Sequence, residues 1–382
     1  MLSRFELTTA ILFGAGAVSK AGEEASRLGH KVMVVTYPDI RRVGLLDKVI
    51  KNLKESKLDA VVFEKVEPNP RSSTIDEGAA TARKEKVDVV IGLGGGSAMD
   101  AAKGIAVACS STAPIWDYVS NHDIYTQEIK GFIPPIIQIP TMAGTGSEIN
   151  FNAIITNWET HIKDAFVHPR LLAKVAIIDP EITLSVPLHQ TKAGGIDILF
   201  HILEPYLTDA RPTMLTDGIR ETCMKMVVKY LPRAIAHLDD LEARTQLSWA
   251  STIAMSQFAR LGGGGGDMTC HCIEHAVSGY YDVTHGDGLA AIFPAWMMSF
   301  YQVRQARFDA LGKNVFGKKD GIKAMEEFLE SIGMRLRLRD LGCKLEDAQM
   351  IAELAIKTSP YLSVHPTPMD VKAVAKIYCD SF

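Results

Sequence analysis

The sequence predicts an α/β fold in its first half and an all-helical fold in its second half. Between residues 31 and 180, five short runs of β-branched and other apolar residues alternate with amphipathic stretches. The runs are continuously apolar, as strands buried on both faces of a parallel sheet require. Beyond about residue 183, only helical periodicity continues. We therefore expect a doubly wound α/β domain with a parallel sheet flanked by helices over residues 1–182, and an all-α domain over residues 183–382.

Individual elements follow from the same patterns. An apolar run before Gly14 predicts a further strand that enters a turn. The stretches 44–56 and 74–86 are amphipathic at the helical period and predict helices between strands. The glycine run 262–266 would end any helix, so it predicts a tight connection between two helices. The five strands are predicted over residues 31–37, 59–66, 88–95, 134–140 and 174–180.

Composition and charge restrict the class of protein. The 382 residues are too many for one ordinary core, and 47% hydrophobic with 23% charged residues is typical of a soluble globular protein. A net charge of −4 and a pI near 6.3 argue against nucleic acid as a partner. The sequence has no run of roughly 20 apolar residues for a membrane span and no secretory signal pattern, so we expect a cytoplasmic location.

Two pairs of polar residues form a candidate metal site. Asp197 and His201 are four residues apart in a helical stretch, which puts both on one face about 6 Å apart along the axis. His271 and His285 follow roughly seventy residues later. One carboxylate and three imidazoles suit a borderline divalent cation. For either pair alone, a purely structural role fits the sequence as well as metal binding does. In that case His201 would be a buried core histidine and Asp197 a residue at the start of a helix.

A glycine loop forms a second candidate site. Gly94, Gly95, Gly96 and Ser97 follow a predicted strand and open an alanine-rich helix that carries Asp100. Backbone amides without a Cβ beside them can approach a pyrophosphate closely, and the helix presents its positive end. An ordinary strand-to-helix turn is the alternative. A metal site together with a nucleotide site implies redox chemistry on an alcohol or a carbonyl.

Residues at two further strand ends bear on the cofactor. Asp39 follows the strand 31–37 and could accept hydrogen bonds from ribose hydroxyls, which favours NAD. Arg41 and Arg42 favour the opposite choice, because they suit the 2′-phosphate of NADP. Thr141 and Thr145 could bind phosphate or ribose, or could form an ordinary Ser/Thr turn.

Taken in order, the motifs resemble those of the iron-containing (group III) alcohol dehydrogenases. They are GGGSAMDAAK, PTMAGTGSE, AGGIDILFH and the set His271, His275 and His285. The resemblance covers almost the whole chain, and around the histidines it is to the butanol dehydrogenase-like branch. It implies a dehydroquinate synthase-like architecture, in which residues 1–182 form a dinucleotide-binding α/β domain that binds NAD(P) and residues 183–382 an all-helical metal-binding domain. The active site would lie in the cleft between these two domains. The resemblance also implies hydride transfer between a nicotinamide cofactor and a primary alcohol such as butanol or a diol.

The resemblance also assigns roles to individual residues. Tyr37 stands where relatives that select NAD often have an acidic residue, so NAD and NADP both remain open. His275 corresponds to a non-ligating histidine near the nicotinamide. The metal ligands correspond to Asp197, His201, His271 and His285. The cofactor-binding residues correspond to Asn69, Gly94, Gly95, Gly96, Ser97, Asp100, Thr141, Thr145, Asn152 and Lys163.

Several alternatives remain at this point. The donor set suits Fe²⁺, Zn²⁺, Co²⁺, Ni²⁺ or Mn²⁺; the resemblance favours Fe²⁺, and Zn²⁺ is the second choice. A dehydroquinate synthase-like or glycerol dehydrogenase-like enzyme acting on a polyol or phosphorylated substrate is the alternative activity. The former would need a cluster of Arg and Lys beside the ligands, and these segments show little of one. A binding protein that kept the fold would have lost a ligand or a loop glycine. The resemblance implies a homodimer or larger homo-oligomer.

Overall fold

The computed structural model describes residues 7–119, 129–261 and 266–382. Contacts divide them into two compact units, Leu7–Val186 and Pro187–Phe382. The first unit combines strands with helices, and the described residues of the second contain only helices and turns. The predicted fold class is therefore confirmed. The predicted connection at the glycine run lies mostly outside the described residues.

A six-stranded parallel sheet forms the centre of the first unit, in the order β1-β8-β5-β4-β2-β3. All five predicted strands are present as β2, β3, β4, β5 and β8, and the N-terminal run forms β1. A separate antiparallel hairpin, β6–β7, was not predicted, because its short strands mix buried and half-buried positions and carry no continuous apolar run. The strands are β1 (Ala10–Phe13), β2 (Lys31–Val35), β3 (Asp59–Phe63), β4 (Val89–Gly94), β5 (Ile136–Pro140), β6 (Asn152–Asn157), β7 (Ile162–Val167) and β8 (Val175–Ile178).

Helices cover both faces of the sheet. Successive side chains of a strand point to opposite faces, so Met33 and Val35 enter one core while Val32 and Val34 enter another. This two-sided burial explains the continuously apolar strands. The helices of this unit are α1 (Ala21–Ser26), α2 (Leu45–Glu55), α3 (Ser72–Glu85), α4 (Gly96–Ala108) and α5 (Trp116–Val119). The side chains of α3 and α4 fill the first core, and those of α1 and α2 the second.

Eight α-helices make up the described part of the second unit. Among the described residues, no helix combines the length and apolar character that crossing a membrane needs. The helices are α6 (Leu188–Thr208), α7 (Met214–Ala236), α8 (Leu241–Met255), α9 (Thr269–Tyr281), α10 (His285–Leu311), α11 (Gly321–Ser331), α12 (Ala348–Thr358) and α13 (Val371–Asp380). Short 3-10 helices lie at Ala17–Lys20, Pro38–Val43, Pro169–Leu171, Ile182–Ser185, Gln257–Arg260, Leu338–Leu341, Leu345–Asp347 and Pro360–Val364, and a π-helical turn at Gly312–Phe316.

A buried lysine connects α4 to the start of the hairpin. The Lys103 side chain is fully buried, and its Nζ donates to the Asn150 backbone oxygen at 3.1 Å, to Asn150 Oδ1 at 2.9 Å and to the Asn152 backbone oxygen at 2.6 Å. Burial lowers the pKa of Lys103 to about 8, although the negative charge of Asp100 acts to raise it. The ammonium group therefore holds the segment before β6 against α4.

We expect Lys103→Met to destabilise the protein by about 3 kcal/mol, because three oxygens inside the fold, two of them in buried hydrogen bonds, lose their donor. Urea denaturation measures the loss. Lys20→Met is the matched control: this surface lysine pairs with Glu23 at 3.1 Å, and its loss should change the free energy of unfolding by less than about 0.5 kcal/mol. Equal losses in the two variants would contradict the structural role of Lys103.

Candidate metal centre and dinucleotide site

One helix carries the two closely spaced candidate ligands. Asp197 and His201 lie one turn apart on α6, and both side chains are buried. His271 lies in the first turn of α9, and His285 is the first residue of α10. The structure therefore brings together residues from three helices that the sequence separates by more than eighty positions.

The ligand atoms surround one carboxylate oxygen. Asp197 Oδ1 lies 3.4 Å from His201 Nδ1, 3.6 Å from His271 Nε2 and 3.7 Å from His285 Nε2. Tetrahedral ligands bound at about 2.0–2.2 Å lie roughly 3.3–3.6 Å from one another, and the distances to Asp197 Oδ1 are close to that range. Asp197, His201 and His271 each place a potential ligand atom within 4.8 Å of the others. Asp197 Oδ1, His201 Nδ1 and His271 Nε2 are buried and have no hydrogen-bond partner within the described residues. A cation held by this cluster would satisfy them.

Charge and burial set the ligand protonation. Burial lowers the pKa of His201 to about 3, so its imidazole is neutral and offers a lone pair. Burial alone would raise the pKa of Asp197, but the three imidazoles outweigh it and hold that pKa well below its usual range. Burial also opposes the charged form of His271, yet Glu204 and Asp197 raise its pKa to about 9. A cation at Nε2 of His271 would therefore displace a proton there.

Two buried glutamates contact the candidate ligands, and the sequence analysis did not identify either. A Glu204 carboxylate oxygen is hydrogen-bonded to Nδ1 of His271, and a Glu274 oxygen to Nδ1 of His285. Glu204 is three residues beyond His201 on α6, and Glu274 is three beyond His271 on α9. This spacing of one helical turn is the signal that could have revealed them.

The predicted catalytic histidine lies at the edge of this cluster. His275 is half-buried, and its ring centroid is 5.4 Å from that of His285. His275, His285 and Glu274 each place a potential ligand atom within 4.8 Å of the others. Burial raises the pKa of the Cys270 thiol well above its usual range.

The glycine loop has the predicted position between β4 and α4. Gly94 has a φ of 157°, and a Cβ there would lie 2.6 Å from that of Ala98. A Cβ on Gly96 would lie 2.4 Å from Thr145 Cγ2, so only glycine fits beside that threonine. Ser97 is half-buried in the first turn of α4.

The segment after β5 lies against this loop. The Thr141 N–H donates to the Gly94 carbonyl at 2.9 Å, and a side-chain hydrogen bond joins Thr141 to Tyr37. The Tyr37 ring lies beside the Gly94 backbone, since a Cβ there would be 3.3 Å from it. Gly94–Ser97, Thr141 and Thr145 therefore form one polar, glycine-lined surface at the carboxyl ends of β4 and β5, where ligands bind in doubly wound folds.

Two other predicted cofactor residues have partners inside the fold. Asp100 is buried and accepts hydrogen bonds from the Ser147 hydroxyl at 2.6 Å and the Ile154 N–H at 3.0 Å. Burial raises its pKa, and the charge of Lys103 opposes that rise. Asn152 begins β6 and accepts from Lys103 through its backbone oxygen. Both oxygens of Asp100 are thus used to hold the segments that follow β5.

The remaining predicted cofactor residues lie in two places. Asn69 has a left-handed φ of 50°, and its Oδ1 accepts from Lys163 Nζ at 2.9 Å, so the structure brings these two residues together. Asp39 lies on the 3-10 helix after β2. Its exposed carboxylate is 3.2 Å from an Arg42 nitrogen.

Comparison with known proteins agrees with this architecture. The model of the iron-containing alcohol dehydrogenase family matches residues 8–180, and that of the family's C-terminal domain matches residues 191–382. The chain belongs to the iron-containing alcohol dehydrogenase family, a family of oxidoreductases. The resemblance inferred from the motifs is therefore confirmed.

Individual relatives match over nearly the whole chain. NADH-dependent butanol dehydrogenase A of Clostridium acetobutylicum is 33% identical and covers 99% of both chains. 1,3-Propanediol dehydrogenase of Citrobacter freundii is 31% identical over 97% of this chain and 96% of its own. The crystal structure of NADH-dependent butanol dehydrogenase A from Thermotoga maritima superposes with a TM-score of 0.93, at 34% identity over 99% of this chain and 98% of that one.

We expect metal binding to stabilise the protein and Asp197→Ala to abolish the effect. Zn²⁺ at about 100 times its Kd would add about 2.7 kcal/mol, a rise in Tm of roughly 5–11 °C for a unit of roughly 150–250 residues. Thermal unfolding with and without a chelator measures the shift, and elemental analysis measures bound metal. The exposed Asp309 provides a control, Asp309→Ala, which should bind metal as the wild type does. Full metal content in Asp197→Ala would refute the ligand assignment.

Proposed function

We propose that this protein is a metal-dependent alcohol dehydrogenase and aldehyde reductase that uses a nicotinamide cofactor, with NAD preferred. The observation that carries the proposal is the set of three imidazole nitrogens within 3.7 Å of Asp197 Oδ1. The glycine-lined surface at the carboxyl ends of β4 and β5 supports the cofactor class. Relatives named as butanol and 1,3-propanediol dehydrogenases support a primary alcohol or diol as substrate.

Asp197, His201, His271 and His285 would hold the metal. When bound, the ion would supply Lewis-acid polarisation of the substrate oxygen, and the nicotinamide would supply the hydride acceptor. Three nitrogens and one oxygen without a thiolate suit Fe²⁺ and Zn²⁺, and the family favours Fe²⁺. A cytoplasmic location and a homodimer or larger assembly stay predictions from the sequence.

Backbone amides and charges of the first unit would bind the cofactor. The first amides of α4 have no earlier turn to accept their hydrogens and carry the positive end of the helix dipole, so they suit a pyrophosphate. Gly95 precedes α4 in an extended conformation, which directs the chain into the first turn of the helix.

The charges after β2 favour NAD over NADP. The guanidinium of Arg41 lies 2.7 Å from a Glu64 oxygen and 3.6 Å from Asp47, and that of Arg42 lies 3.2 Å from Asp39. Both arginines therefore already have carboxylate partners, and the three acids outnumber them. An additional 2′-phosphate would meet an excess of negative charge here.

His275 is the residue that we propose moves the substrate proton. Its ring is half-buried beside that of His285, and an imidazole exchanges protons near neutral pH. Proton transfer at His275 would connect the buried cluster to solvent without requiring a ligand to change protonation.

A direct assay tests the proposed activity. We expect purified protein loaded with Fe²⁺ or Zn²⁺ to produce reduced nicotinamide from butanol or 1,3-propanediol, with a higher kcat/KM for NAD than for NADP. Asp197→Ala should lose this activity and Asp309→Ala should keep it. A lyase of the dehydroquinate synthase type would consume a phosphorylated substrate with no net reduction of nicotinamide, and a binding protein would turn over neither. Either result would refute the proposal.

We expect His275→Ala to lower kcat by roughly 100-fold while metal content is unchanged, because a proton-transfer group is lost but every proposed ligand remains. The pH–rate profile between about pH 6 and 9 should lose the limb that His275 contributes. His237→Ala removes an exposed imidazole at the end of α7 and is the matched control. An unchanged profile in His275→Ala would rule out the proton-transfer role.

A further inference from the structure

Two of the three candidate ligand histidines are held in the same way. His271 occupies the first turn of α9, and His285 is the first residue of α10. In each case Nδ1 is hydrogen-bonded to a glutamate that is fully buried, Glu204 for His271 and Glu274 for His285. In each case Nε2 faces Asp197 Oδ1. In each imidazole, Nδ1 is therefore bound to a glutamate, while Nε2 is directed towards the candidate metal site.

Glu204 also binds the backbone at the start of α9. Its Oε2 accepts from the Cys270 N–H at 2.8 Å and from the His271 N–H at 3.4 Å. These amides belong to the first turn, which has no internal acceptors, and a carboxylate there is favoured by the helix dipole. Because Glu204 lies on α6 with Asp197 and His201, one carboxylate fixes the position of α9 relative to the helix that carries the other ligands.

Glu274 lies against the first turn of α10. A Cβ on Gly288 would be 2.4 Å from Glu274 Oε1 and 2.9 Å from its Cγ, so the carboxylate needs a glycine at this position. The contact confines the Glu274 side chain to the side of α10 on which His285 Nδ1 lies. A larger residue at position 288 would force this side chain away.

We propose that Glu204 and Glu274 are positioning residues for metal binding, each fixing the Nδ1–H tautomer of one histidine and directing its Nε2 lone pair to the ion. This inference rests on the proposed metal site. A carboxylate on Nδ1 also makes the imidazole a stronger donor and adds negative charge near the cation. Neither glutamate is itself proposed as a ligand, so the variants below keep the four-ligand set of Asp197, His201, His271 and His285.

The test compares metal affinity across Glu204→Gln, Glu274→Gln and Glu274→Ala. Glutamine keeps an acceptor of similar shape but not the charge, so we expect Kd for Zn²⁺ to rise about 10-fold for the glutamine variants and up to about 100-fold for alanine. Competition with a chromogenic chelator measures Kd. The absorption spectrum of the Co²⁺-loaded protein should keep the intensity of four-coordinate cobalt in the glutamine variants. A purely structural role would lower Tm of the metal-free protein and leave Kd unchanged.

Two further variants provide an independent test of Glu274 and a control. Gly288→Ala should raise Kd as Glu274→Gln does, although Gly288 is not one of the four candidate ligands. This variant keeps the test valid if Glu204→Gln fails to fold. Glu221→Gln is the matched control, because Glu221 accepts from Tyr206 and Asn314 in the same unit and contacts none of the four candidate ligands. Its Kd should equal that of the wild type.

The outcomes separate this inference from the proposed function. Wild-type affinity in folded Glu274→Gln and Gly288→Ala would overturn the positioning role and leave the metal site standing. Absence of Zn²⁺, Co²⁺ and Fe²⁺ binding by the wild-type protein would overturn the metal site and, with it, this inference.

Discussion

The helical unit is organised around polar atoms for which its own fold provides no hydrogen bonds. Asp197 Oδ1 lies 3.4 Å from His201 Nδ1 and 3.6 Å from His271 Nε2, and these three buried atoms have no hydrogen-bond partner in the part of the chain that the structure describes. Each such atom costs about 1–3 kcal/mol when left unsatisfied. Helix α10 packs against both α6 and α9, which maintains this arrangement. Buried atoms without partners are tolerated where a bound group satisfies them. A cation held by this cluster would satisfy all three atoms at once.

The α/β unit meets a different requirement. A cofactor site there needs backbone that a ligand can approach closely, and the buried charged side chains beside it need hydrogen-bond partners. The glycine loop provides the first feature, because Gly96 leaves room only for its own hydrogen beside Thr145. Asp100 and Lys103 carry these charged side chains. Both side chains lie on the buried side of α4. Asp100 accepts a hydrogen bond from Ser147, and Lys103 donates to the segment before β6 and to its first residue. Hydrogen bonds from these two buried charged side chains therefore stabilise the segments that follow β5.

Much of this organisation could be predicted from the sequence. Strands buried on two faces are continuously apolar, so every strand of the parallel sheet was visible, whereas the β6–β7 hairpin, with only one well-buried face, was not. Helical spacing alone placed Asp197 beside His201. The association of that pair with residues far along the chain depended on the family resemblance, because periodicity carries no information on contacts between distant helices. Glu204 and Glu274 each lie one helical turn beyond a candidate ligand, but a glutamate on a helix is usually exposed, and only the packing of the helices shows that these two are buried.

The hydrogen bonds that Glu204 accepts have a kinetic consequence. The same carboxylate is bound to the backbone amides that begin α9 and to the imidazole of His271. Opening of this first turn would therefore expose the amide hydrogens of Cys270 and His271 to solvent and also withdraw His271 from Asp197. Amide exchange at the start of α9 and departure of an ion held by the cluster would then share one local unfolding step. The residence time of a bound ion would depend on how often this end of the helix frays, as well as on the strength of its bonds to the ligands.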